Sequence, residues 1–182
     1  MDWTDQAGGV SRYSYDASDQ MRTLTDARGI VFLTNEYDAG GRVSRQTQAD
    51  GTTYQFAYTL DGTGKITQTD VTNPRGSVRR VTFNGAGYIL TDTRALGSPA
   101  QQALSYERQA GSNLILATTD ALGRRTASTY DTLGNVSSVT RLAGTAGAVT
   151  TTLTYEPTFS QVTSSTDPLG TRPPSGGTAW VT

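Results

Sequence analysis

Apolar residues recur at every second position in several stretches of the chain. Tyr54, Phe56, Tyr58 and Leu60 share one parity, and Val149, Thr151, Leu153 and Tyr155 form a second run of the same kind. A period of two is the mark of a strand whose alternate side chains point to opposite faces. No stretch carries a sustained 3.6-residue stripe with caps, so the pattern predicts no helix longer than a turn or two.

Short polar corners separate these runs. In TDALGRRTASTYDTLGNVSSVT, from Thr119 to Thr140, an Asp stands three residues before a Gly twice, at Asp120 with Gly123 and at Asp131 with Gly134. An Asp or Asn opening a turn accepts a bond from the backbone amide two residues on. A Gly at the fourth position takes the left-handed conformation at little cost, which gives a type I turn with a following bulge. The segment between the two corners is about one strand long.

The corners form two interleaved series. An aromatic residue followed closely by an acid or Asn occurs at Tyr15, Tyr37, Tyr58, Phe83, Tyr106, Tyr130 and Tyr155, at spacings of 22, 21, 25, 23, 24 and 25 residues. Its turn residues include Asp16, Asp38 with Gly41, Asp61 with Gly64, and Asn84 with Gly87. Between them fall TDARG from Thr25, TNPRG from Thr72, TRALG from Thr93, TDALG from Thr119 and TDPLG from Thr166, the last placing Asp167 and Gly170 in a corner. Each unit therefore holds two turns and two strands, and the fold class is all-β: tandem antiparallel hairpins. Residues 1–12 read as a lead-in, 13–170 as an array of about six to seven hairpin units, and 171–182 as a poorly ordered tail. Pro74, Pro157 and Pro168 fall in turn slots, as the missing amide of proline requires.

Composition narrows the function classes. The chain of 182 residues is 35% hydrophobic and 17% charged, threonine is its commonest residue, and it has 20 glycines, a mix that favours strands and turns. Net charge is −1 with Arg scattered among Asp, so nothing suggests a nucleic-acid footprint. There is no Cys and no His, which removes disulfides, thiolate zinc sites and Cys or Ser–His nucleophiles. The opening MDWTDQAGGV lacks the basic and apolar regions of a secretory signal. No window approaches the roughly 20 apolar residues of a membrane helix.

The motif itself resembles a known family. Y-D-x-x-G-[RN]-V occurs at Tyr37 (YDAGGRV) and Tyr130 (YDTLGNV), and F-N-x-x-G-Y-I at Phe83. These are similar to the repeats of the Rhs or YD-repeat family, which includes polymorphic toxins, wall-associated proteins, toxin-complex shell subunits and teneurins. The resemblance spans about residues 13–170. Some slots depart from it: Asp19 stands in the Gly position after Tyr15, two residues separate Tyr58 from Asp61, one extra precedes Gly111, and Phe159 replaces Gly after Tyr155. The resemblance implies a hairpin strip that curves or spirals into a shell, which in toxin members encloses a polypeptide. It also implies a place within a larger secreted or cell-surface protein.

Candidate chemistry is weighed against that frame. The tyrosine series suits either a carbohydrate-stacking ladder or the packing spine of the sheet, and its fixed offset from the turns favours packing. The turn acids Asp16, Asp26, Asp38, Asp61, Asp120, Asp131 and Asp167 supply one or two oxygens each, against the roughly six to eight that calcium needs, so capping is the better account. The single lysine, Lys65, lies in a turn. Asp167-Pro168-Leu169-Gly170 resembles the family's self-cleavage signature but continues into Thr171 rather than Leu, in register with the ordinary turns. The expectation is a structural segment with no catalytic, cofactor or metal site, whose partners are neighbouring repeats or an enclosed toxin polypeptide. Neither nucleic-acid binding nor membrane insertion is expected. The alternative is an adhesion module that presents a β surface to glycans or proteins.

Overall fold

The structure, a computed structural model, describes residues 2–4, 6, 8–168 and 170–172. It is all β among them. The strands are β1 (Asp2–Thr4), β2 (Val10–Tyr15), β3 (Met21–Thr25), β4 (Val31–Tyr37), β5 (Val43–Gln48), β6 (Thr53–Leu60), β7 (Ile66–Thr72) and β8 (Val78–Phe83). They continue with β9 (Ile89–Arg94), β10 (Gln102–Arg108), β11 (Ile115–Thr119), β12 (Arg125–Tyr130), β13 (Val136–Arg141), β14 (Val149–Tyr155), β15 (Val162–Asp167) and β16 (Gly170–Arg172). Strand order equals chain order.

The chain divides into two compact units, Met1–Gly87 with Asp92–Gln101, and Tyr88–Thr91 with Gln102–Thr182. In the first, β1 to β8 each pair antiparallel with the next strand. In the second, β10 to β16 do the same. Pairing reaches into both expected flanks. Asp2 pairs with Arg12 within the lead-in, and Thr171 and Arg172 continue as strand beyond the expected end of the array. The rest of the expected tail, 173–182, lies outside the described residues.

The hairpins that close on the aromatic series share a register irregularity. It falls at Ser14/Tyr15, Glu36/Tyr37, Thr59/Leu60, Glu107/Arg108, Thr129/Tyr130 and Thr154/Tyr155. Each time, the residue before the turn opposes a strand carrying one extra residue. Such a bulge bends the strand and adds to its twist.

Each unit is a single layer of sheet. Among the described residues only Ala117 and Asn35 are buried. One face of the first unit carries the apolar pairs Tyr13 with Leu24, Leu24 with Leu33, and Phe56 with Val71. The opposite face is polar: Ser14 meets Thr23 at 2.6 Å, and the Arg80 guanidinium pairs with Asp70 at 2.7 Å. In the second unit the polar face is built of hydroxyl pairs, Thr129 with Ser138, Thr140 with Thr150 and Thr154 with Ser164, at 2.7–2.8 Å. A sheet this thin depends on its backbone ladder and cross-strand pairs more than on a core.

Candidate functional site

The corners do more capping than their sequence suggests. At Asp38, Oδ1 accepts from the Gly40 amide at 2.8 Å and from the Arg42 amide at 3.0 Å, while Oδ2 accepts from Arg42 Nε at 2.8 Å. The Asp38 amide donates to the Arg42 carbonyl at 2.8 Å, and the Gly41 amide to the Asp38 carbonyl at 3.0 Å. Gly41 has φ +74°, the left-handed value that the closing bond requires. One carboxylate oxygen thus serves the amides two and four residues on. The same double cap forms at Asp16, Asp26, Asp61, Asn73, Asp120 and Asp131. Gly64, Gly123 and Gly134 close their turns as Gly41 does, and Gly87 donates to the Asn84 carbonyl at 2.9 Å. Asn84 Oδ1 accepts from the Ala86 amide.

These bonds favour the ionised carboxylate. The Asp26 carboxyl is held below its ordinary value by the Ile30 amide and then by Arg28. The Arg42 amide and its guanidinium do the same for Asp38, the Thr63 hydroxyl for Asp61, Arg124 for Asp120 and the Asn135 side chain for Asp131.

The tyrosines act between hairpins. Tyr37 donates its hydroxyl to the Met21 carbonyl at 2.6 Å, Tyr58 to Val43 at 2.8 Å, Tyr130 to Ile115 at 2.8 Å and Tyr155 to Val136 at 2.9 Å. Each acceptor is the first residue of the strand before the tyrosine's own. Each also lies two residues beyond the last backbone pair of that seam: Thr23 with Thr34, Arg45 with Gln55, Ala117 with Ala127, and Ser138 with Thr152. The ladder between successive hairpins therefore stops short of this end, and a tyrosine hydroxyl clips it. These hydroxyls are committed to the sheet, which weakens the stacking-ladder reading. Tyr15 is half exposed at the end of β2. Arg42 lies over the Tyr58 ring at 5.5 Å and so joins a corner to the next clip.

At β10 the clip is an arginine, which the tyrosine series misses. Tyr106 stands two residues before the slot. Arg108 fills the slot, giving Nε to the Ile89 carbonyl at 2.9 Å and Nη1 to the Asn113 carbonyl at 2.8 Å. Its guanidinium lies 5.3 Å from the Tyr88 ring and 5.5 Å from the Tyr106 ring.

Several corners differ from their expected form. Asp19 takes φ +58° and does the work of the missing Gly. After Glu156 the left-handed residue is Ser160, φ +55°, not the Phe159 that stands in the Gly position. The Glu156 amide closes one residue further on, at the Gln161 carbonyl, and its side chain caps the amides of Thr158, Phe159 and Gln161. The corner at Gln109 is also longer by one, closing at Leu114 with both Gly111 and Asn113 left-handed. TRALG is no four-residue corner. Arg94 has no acceptor to cap a turn, and the chain opens into a wide loop in which Ala95 and Gly97 are left-handed and the Leu96 amide reaches the Val78 carbonyl. Leu142, Ala143 and Gly144 repeat that loop, with the Ala143 amide on the Arg125 carbonyl. Asp167 and Gly170 are register partners across a two-residue connection, so Asp167 ends a strand where the other acids open three-residue loops. Glu156 and Asp167 lie at opposite ends of β15, a strand about 20 Å long.

Comparison with known proteins places a repeat within this frame. The RHS repeat family model matches residues 111–146. That stretch holds β11, β12, β13, the corners at Asp120 and Asp131, and the Tyr130 clip. No curated protein matches the chain. Among solved structures, the TcdB2-TccC3-TEV crystal structure aligns with 92% of the chain at 14% identity and a TM-score of 0.36. TcdB2-TccC3 without its hypervariable C-terminal region aligns with 94% at 13% identity and a TM-score of 0.37. The Photorhabdus luminescens Tc holotoxin pore carrying the TccC3 mutation D651A aligns with 92% at 13% identity and a TM-score of 0.35. The chain spans only 12–13% of the length of these chains.

Proposed function

Because residues 111–146 are an RHS repeat, we propose that the chain is a length of wall: a hairpin sheet, part of a larger protein, that encloses or scaffolds a toxin or another polypeptide. The observation that carries this reading is the clip. Tyr37, Tyr58, Tyr130 and Tyr155 each close a seam onto the hairpin before it, so every added hairpin extends the sheet without needing a core. The bulges beside the clips supply a bend at every step, which is what curling a strip into a shell requires. A single layer leaves two unlike faces, one bearing apolar pairs and one bearing hydroxyls and ion pairs, free to meet different surroundings. No catalytic role is needed in this reading, and the protein is placed outside the cell or at its surface.

The test is protease protection. In the parent protein, the polypeptide encoded beside this segment is expected to resist digestion, and to lose that resistance when residues 131–155 are excised. Equal digestion with and without the excision would overturn enclosure.

A further inference from the structure

The seam between β7 and β8 lacks what its neighbours have. Its last backbone pair is Gln68 with Thr82, so the carbonyl two residues beyond is that of Ile66, the first residue of β7. This is the place held by Met21, Val43, Ile115 and Val136 at the clipped seams. The clip position on β8, immediately before Asn84, is Phe83, which fills the ring's place but has no hydroxyl to give. A cleft of about 530 Å³ opens there, walled by Ile66, Thr69 and Phe83 and by the bare glycines Gly64 and Gly85 of the two flanking corners. Lys65 Nζ bridges those corners by donating to the Gly85 carbonyl at 3.0 Å. No Cβ at Gly64 or Gly85 would meet an atom within 4 Å, so the glycine walls leave open space.

We propose that this cleft binds a tyrosine side chain of another polypeptide, which supplies in trans the hydroxyl that Phe83 lacks. The chemistry is that of the four clips: an aromatic ring over the diverging strand ends, with its hydroxyl on a first-residue carbonyl. Apolar walls hold the ring, and the carbonyl separates tyrosine from phenylalanine, because a ligand without the hydroxyl leaves that acceptor without its donor. The cleft has room beyond a single ring for the adjoining backbone. The site does not depend on enclosure, since it requires only that the β7–β8 seam form.

N-acetyl-tyrosinamide titrated into the protein, with two-dimensional NMR as readout, tests the site directly. The expected result is saturable shifts centred on Ile66, Thr69 and Phe83. N-acetyl-phenylalaninamide is expected to bind roughly three- to tenfold more weakly, the worth of one hydrogen bond. Phe83→Tyr, which supplies the hydroxyl in cis, is expected to lose at least tenfold in affinity for the tyrosine amide without a fall in melting temperature. Absence of saturable shifts would overturn the proposal. So would equal affinity for the two amides, a comparison made on the unaltered protein and so independent of how the variant folds. Undiminished binding to folded Phe83→Tyr would also overturn it.

Discussion

The Tyr130 hydroxyl donates to the Ile115 carbonyl across 2.8 Å, two residues past the last backbone pair between β11 and β12, Ala117 with Ala127. One side-chain atom thus finishes a seam that the backbone leaves open. Tyr130→Phe keeps the ring and removes only this bond, so it is expected to destabilise by about 0.5–1.5 kcal/mol. Tyr106→Phe, whose ring stacks on Arg108 without forming a clip, is expected to cost clearly less. Denaturant midpoints of the two variants check the difference, and equal midpoints would contradict the clip.

The corners make a backbone prediction. Gly134 has φ +87° and an added Cβ there would meet nothing within 4 Å, so Gly134→Val should suffer from its dihedral alone, by roughly 1 kcal/mol or more. Gly41→Val should cost at least as much, since its Cβ would also come 2.8 Å from Gln20 Nε2. Ser138→Val, within β13, should cost less than either. Conversely, Asp19→Gly relieves a left-handed non-glycine residue and is expected to stabilise by up to about 1 kcal/mol. Thermal melts of the four variants give the order.

Much of this was legible in the sequence, because a corner is a local device. Asp, two spacers and Gly contain all the atoms of the turn, so parity and spacing located most hairpins. The clips were not legible in the same way: Tyr130 reads as a packing residue until its partner 15 positions away is known. Arg108 escaped because the search followed aromatic rings, whereas the seam needs a donor of any kind. The wide loops left a trace that went unread. Thr93-Arg94-Ala95-Leu96-Gly97-Ser98 and Thr140-Arg141-Leu142-Ala143-Gly144-Thr145 match in outline 47 residues apart, both with Arg where a capping acid belongs. The near absence of buried side chains could not be read from strand parity, since parity says which residues share a face and not whether anything covers it.

The capping carboxylates predict an acid limb. Asp26, Asp38, Asp61, Asp120 and Asp131 have folded-state pKa values below the ordinary 3.8. Their stabilisation is complete above that ordinary value and is lost as pH falls through the depressed folded values. The denaturant midpoint is therefore expected to hold from neutral pH down to about 4 and to fall below it. Asp61→Asn keeps an Oδ1 acceptor for the Thr63 and Lys65 amides but cannot titrate, so its midpoint should fall less steeply. An identical acid limb in the variant would contradict the role given to Asp61.

The central claim is that the chain is an array of interchangeable hairpins joined by clips. Excising 131–155 removes one period and brings Tyr130 directly before Glu156, so that β12 takes the place of β14 beside β15 and Tyr130 still clips to Ile115. Excising 131–142 removes a single strand with its corner and reverses the direction of all that follows. Circular dichroism through a thermal melt is the deciding measurement. The account predicts a β spectrum and a cooperative transition for the 131–155 excision, and loss of both for the 131–142 excision. Collapse of the full-period excision, or equal behaviour of the two, would contradict it.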